Sequence, residues 1–159
     1  MNDNSKNVRG YIYEQLNGNI TVMEGSAEAS TDYVVPIVAK ATDLTTYPYI
    51  VVQTSNYADD SLKTNFYGTY EVEIQIHTRF PLNYGGQDDV DDISNSILKL
   101  IRNHSTTVEF LGEVDGEEVV LDTMFIFKQT NQRYIQDDDG QYDYYQKTLV
   151  FECQVISNE

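Results

Sequence analysis

The side chains able to do acid–base, metal or nucleophilic chemistry are few in this sequence and sit in small groups. Asp137, Asp138 and Asp139 run directly into Gly140, a second set of acids (Asp88, Asp89, Asp91, Asp92) is packed into five positions, and His77 and His104 are the two histidines. An aspartate run before glycine offers the hard oxygen ligands that calcium takes. Setting Gly140 at the glycine of an EF-hand loop, however, puts Ile135 at position 1 and Gln146 at position 12, where carboxylates are required, so the motif fails. The run predicts a solvated turn with Asp139-Gly140 at its tip. Neither histidine lies in a nucleophile motif: His77 falls on the polar face of a strand pattern and His104 just beyond a helix pattern. No Gly-rich phosphate loop and no Cys/His metal spacing occurs. The expectation is therefore no catalytic residue, no cofactor and no metal, and a protein that is not an enzyme. The single cysteine, Cys153, excludes an internal disulfide and reads as a plain buried thiol.

The elements that must position these groups centre on residues 66–102. Tyr70, Val72, Ile74 and Ile76 alternate with polar residues, which makes a strand with one apolar face. A Pro81 turn follows. Val90, Ile93, Ile97, Leu100 and Ile101 then recur at spacings of three and four, the stripe of an amphipathic helix. The acids at 88–92 open that helix, where unpaired N–H groups point outward, and Lys99, Arg102 and His104 close it, so the helix dipole accounts for Asp88 and Asp89 without a cation.

Upstream, Val8, Ile12 and Leu16 mark a short helix over 6–16, ended by Asn17-Gly18-Asn19 and followed by a brief strand at 20–23. Within 24–46 the apolar island 33–38 contains Pro36 and predicts an edge strand or packed-down loop. Residues 49–52 read as a strand, 56–64 as polar loop, 107–111 as extended chain, and Asp115-Gly116 as a tight turn. In the strand at 119–128 the residues Val119, Leu121, Thr123, Phe125 and Phe127 are expected to share the inner face. In the last strand, 148–156, Leu149, Phe151, Cys153 and Val155 point inward. Between these two strands, 129–146 predicts a long β-hairpin whose arms project beyond the core. The whole is one domain over 1–159, with a core of 8–128 and 147–157. Its fold class is α+β: a mostly antiparallel sheet, two helices on one face and a long protruding β-hairpin.

Composition narrows the partners. The net charge is −16, of which residues 81–159 carry −11. Such a surface repels phosphate, so tight nucleic-acid binding is not expected. No apolar run approaches the roughly 20 residues a spanning helix needs, which predicts a soluble chain made in a cytoplasm, without membrane contact. Thirteen tyrosines are too many for a disordered acidic tail. Four of them, Tyr134, Tyr142, Tyr144 and Tyr145, lie on the hairpin, where exposed rings predict contact between subunits.

The layout also resembles a known family. An N-terminal helix ending in Leu-Asn, a short strand, Tyr-Pro-Tyr-Ile-Val-Val at 47–52, a strand Tyr-x-Val-x-Ile-x-Ile-x-Thr at 70–78 and a helix with Ile93 and Ile97 resemble the tail-completion or tail-terminator proteins of tailed bacteriophages. The resemblance covers residues 8–104. The segments 24–46 and 129–146 are longer than that layout. It implies a structural virion protein forming a homo-oligomeric ring, six-fold or twelve-fold, at the neck or tail end. Its partners would be portal or adaptor and tail proteins, with DNA passing through without tight binding. Asp137, Asp138, Asp139, Asp88 and Asp89 are then expected to line an acidic lumen. The alternative is a small acidic interaction module or nucleic-acid mimic that occupies a basic site on a host protein.

Overall fold

The computed structural model describes residues 4–23, 32–40, 42, 47–59, 67–82, 86–102 and 108–157. Helix α1 (Ser5–Leu16) leads into β1 (Thr21–Met23), β2 (Asp32–Val34), β3 (Ile37–Val38), β4 (Tyr49–Asp59) and β5 (Tyr67–Pro81). Then come α2 (Asp88–Arg102), β6 (Val108–Val114), β7 (Glu117–Asp138) and β8 (Tyr142–Ser157). β1 and β2 form a small antiparallel pair. The main sheet has six strands in the order β3-β4-β5-β8-β7-β6, antiparallel except for β3 on β4. Among the described residues the protein is thus mixed α+β, with two helices and a mostly antiparallel, strongly curled sheet.

The core follows the two periodicities. Val8, Ile12 and Leu16 of α1 and Val90, Ile93, Ile97 and Ile101 of α2 are buried in one cluster with alternate residues of three neighbouring strands. Those are Ile50 and Val52 of β4, Tyr70, Val72, Ile74 and Ile76 of β5, and Leu149, Phe151, Cys153 and Val155 of β8. Gly18, at φ +77°, turns the chain out of α1, and the Ile20 carbonyl then accepts from the Val35 N–H. The 33–38 island divides at Pro36: Val34 pairs back onto β1, while Ile37 and Val38 form the parallel edge beside Ile50 and Val51. Asp115 (φ 53°) and Gly116 (φ 82°) are both left-handed, the two-residue turn that matches strand twist.

Two expectations are corrected. β4 runs to Asp59, so 56–59 is strand paired with β5 rather than loop; 60–64 lies outside the described residues. Among the described side chains of β7 the buried ones are Asp122 and Met124, one residue out of phase with the expected inner set. Register shifts explain this: Leu121 is skipped opposite Phe110/Leu111, and further shifts fall between Phe125 and Lys128 and between Gln129 and Asn131. Each extra residue re-aims the side chains that follow. The skipped Leu121 lies over Gly112, where any side chain would collide with it. The side chains of Phe125 and Phe127, like His104, are outside the described residues. The 129–146 hairpin is flanked along its β8 side. β5 accompanies β8 as far as Pro81 opposite Tyr142, leaving the outer edge of β7 beyond Met124 as the side with no strand partner among the described residues.

Candidate functional site

Of the groups singled out by type, Asp137, Asp138 and Asp139 lie where β5 stops and the hairpin turns, with His77 on β5 nearby, while His104 lies outside the described residues. Pro81 pairs with Tyr142, and the Leu82 N–H donates to the Gln141 carbonyl at 3.3 Å.

At the tip the aspartates are occupied by their own turn. Asp138 Oδ1 accepts from the Gly140 N–H at 3.2 Å, and Asp139 Oδ1 accepts from the N–H groups of Gln141 (2.9 Å) and Tyr142 (2.8 Å). The Tyr144 hydroxyl donates to Asp139 Oδ2 at 2.7 Å. That bond and the two N–H bonds hold the Asp139 carboxyl below its usual value, and the same hydroxyl contact raises the Tyr144 phenol. Asp137 and Asp138 are exposed. Among the described residues no group of His, Cys, Asp or Glu is placed to hold a metal.

In α2, Asp88 is exposed and Asp89 half-buried. Burial, then the charges of Asp92 and Asp88, raise the Asp89 carboxyl. Asp91 has a role the dipole argument misses: its Oδ1 lies 2.9 Å from Nζ of Lys147, a β8 residue only 8% exposed, which ties the helix start to the strand. A pair 56 positions apart leaves no local signal in the sequence.

The strand faces then separate the tyrosines. Tyr145 points into the core face and is buried at 7% exposure, T-shaped against Phe80 at 6.0 Å and near Tyr134 at 6.4 Å. It belongs to the subunit's own core rather than to an outer contact. Tyr134 is 37% exposed. Tyr142 and Tyr144 lie on the opposite face with Tyr47, Tyr49, His77 and Arg79. There the Arg79 guanidinium sits between two rings, 4.7 Å from the centroid of Tyr47 and 4.5 Å from that of Tyr142. Tyr47 meets Tyr144 edge-on at 6.1 Å and Tyr49 at 5.0 Å. The Tyr49 ring stacks on His77 at 4.6 Å with an 11° tilt. Burial pushes the Tyr49 phenol up to about 12 and lowers the His77 imidazole. A cavity of about 250 Å³ opens beside this cluster, lined in part by Tyr47, His77, Ile135, Asp137 and Tyr144. Sequence reading found none of Tyr47, Tyr49 or Arg79, because only the β4–β5–β8 register brings them together.

Chemically, the cluster is suited to contact more than to reaction. His77 Nε2 lies 3.2 Å from the Gln75 amide oxygen, which supplies neither a nucleophile nor a carboxylate to orient the ring. Cys153 is fully buried and its thiol is pushed up to about 12, far from a reactive thiolate. Among the described residues no helix is long and apolar enough to cross a membrane. No family model matches the chain, and no curated protein matches it.

Proposed function

We propose that this chain is a structural virion protein, one subunit of a homo-oligomeric ring at the neck or tail end of a tailed bacteriophage, joining portal or adaptor to tail proteins around the DNA exit path. The observation that carries the reading is the end of the β7–β8 hairpin: residues 130–141 are consecutively exposed while the strands remain paired. Ordering so long a stretch costs conformational entropy that its own core contacts do not offset, which is the economy of an assembly arm. In this reading the two helices cover one face of the sheet and the arm protrudes to a neighbour through Tyr134, Tyr142 and Tyr144. Asp137, Asp138, Asp139, Asp88 and Asp89 face the lumen and keep phosphate from sticking, so DNA passes without tight binding. The Tyr-Pro-Tyr-Ile-Val-Val and Tyr-x-Val-x-Ile-x-Ile-x-Thr resemblance supports the same class.

Electron microscopy and mass photometry of the full chain test it. Discrete rings are expected, and Tyr142→Ser with Tyr144→Ser should reduce assembly while leaving the far-ultraviolet spectrum unchanged. A reconstruction with the acids on the outer rim would sink the lumen assignment. A chain that stays monomeric at every concentration would overturn the ring, leaving the acidic interaction module that the −16 charge supports.

A further inference from the structure

We propose that the outer edge of β7 is a self-complementary pairing surface, at which a second copy of this chain adds its own β7 antiparallel about a two-fold axis at Ile135. This goes beyond the ring reading and does not depend on it. A two-fold contact closes on itself, so it joins copies, or whole rings, in pairs.

The edge is open. β6 covers β7 only from Glu117 to Met124, and residues 131–138 pair with β8 on one side and with no strand on the other among the described residues. Isolated proteins guard such edges with lysine, proline or charge along the strand. Here no proline or lysine occurs, Asn131, Gln132, Tyr134, Ile135 and Gln136 are neutral, Ile135 is 54% exposed, and the charges along the edge, Arg133 against Asp137 and Asp138, are of opposite sign rather than alike.

The pattern of side chains selects both the partner and the register. Arg133, Ile135 and Asp137 stand opposite Thr148, Gln146 and Tyr144 on one face, whereas Tyr134 and Gln136 stand opposite Lys147 and Tyr145 on the other. A two-fold axis perpendicular to the shared sheet keeps each face with its like, so only residues of equal parity can oppose each other. Centring the axis on Arg133 sets two guanidinium groups together. Centring it on Tyr134 sets Ile135 against Arg133, and centring it on Gln136 sets Ile135 against Asp137. Centred on Ile135, the two isoleucines meet, Arg133 opposes Asp137 twice, Tyr134 opposes Gln136 twice and Gln132 opposes Asp138. Opposite charges and apolar pairs directly across a ladder stabilise it, and like charges destabilise it. Arg133 is available for this: its side chain is 57% exposed, and it pairs within the subunit through Nη2 to Glu73 Oε1 at 3.1 Å, which leaves other N–H donors of the fork.

Cross-linking reads the register. Under mild oxidation the full chain carrying Ile135→Cys should form a disulfide-linked dimer, since position 135 alone faces itself, and the native thiol Cys153 is buried. Tyr134→Cys and Gln136→Cys should each stay monomeric on non-reducing gels but cross-link when the two variants are mixed. Because Ile135→Cys also removes apolar surface, charge reversal in the native Ile135 background is the second arm. Asp137→Arg should weaken dimerisation about tenfold by sedimentation, and adding Arg133→Asp should restore it. Equal cross-linking at 134 and 135, or a dimer indifferent to Asp137→Arg, would overturn the register; a strict monomer would overturn the surface. Rings seen without an Ile135→Cys cross-link would keep the ring reading and remove this one, and cross-linked pairs without rings would do the reverse.

Discussion

The two faces of β5 are built from alternate residues of one strand, yet they do different work. Tyr70, Val72, Ile74 and Ile76 are essentially inaccessible and share a core cluster with both helices. Glu71, Glu73, Gln75 and His77, one step along each time, stay half-exposed and meet side chains from β4 and β7 instead: Glu73 accepts from Gln53 at 3.2 Å and pairs with Arg133. The difference teaches where stability and where contact reside. One face is buried in the core cluster, and the other, although Tyr49, Val51, Thr148 and Val150 are covered there, keeps Glu71, Glu73, Gln75, His77 and Arg79 at least partly at the surface.

The largest test of that division is in the core. Ile74→Ala removes a fully buried side chain and should lower unfolding stability by about 2–5 kcal/mol, read as a fall in the urea midpoint. Gln75→Ala, on the other face, should stay within about 0.5 kcal/mol. Equal losses at the two positions would break the comparison.

Asp91 ranks next, because it joins a helix to the core face through a lysine that is almost buried. Asp91→Asn leaves Lys147 without its carboxylate and should cost about 1–2 kcal/mol, reduced from a fully buried pair because Asp91 is 39% exposed at its side chain. Asp88→Asn, exposed in the same turn, should cost no more than about 0.5 kcal/mol. A larger loss at Asp88 would return the acids to the dipole alone.

That contrast also measures what the sequence made legible. Both helices, β5 and β8 carry periods of 3.6 or 2, and the residues expected inward are buried, Val8 to Leu16, Val90 to Ile101 and Leu149 to Val155, except that Leu100 is only partly covered and β8 also buries Thr148 and Val150 on its other face. β7 departs from its expected face because its period is interrupted at Leu121, just before Asp122 and Met124, and an extra residue has no signature in a single strand's pattern. The tip turn was visible in Asp139-Gly140, where Gly140 takes φ +84°. The site was less visible. Tyr145 turns inward while Tyr144 turns out, and Arg79 stands between Tyr47 and Tyr142 only once three strands are in register.

On the open face, Arg79→Ala should cost about 0.5–1 kcal/mol, since it removes a stacked cation from an exposed site. Its effect on assembly should exceed its effect on folding. A loss of stability above that range with unchanged oligomer size would assign Arg79 to the fold and weaken the division of labour between the faces.

The smallest effect is a pH dependence, and it bears on how open the second face is. The His77 imidazole is held below its reference value of 6.5 by burial beneath the Tyr49 stack. Above that pH both folded and unfolded chains carry it neutral, so its contribution is fully present and flat. As the pH falls through 6.5 the unfolded chain takes up a proton that the folded ring resists, and stability declines until the folded value is passed. Subtracting the profile of His77→Gln from that of the native chain isolates this residue from His104. The difference should be flat above pH 6.5 and slope downward below it. A difference flat across the whole range would mean that His77 titrates as it does in water, and that the open face gives its rings no more shelter than the surface does.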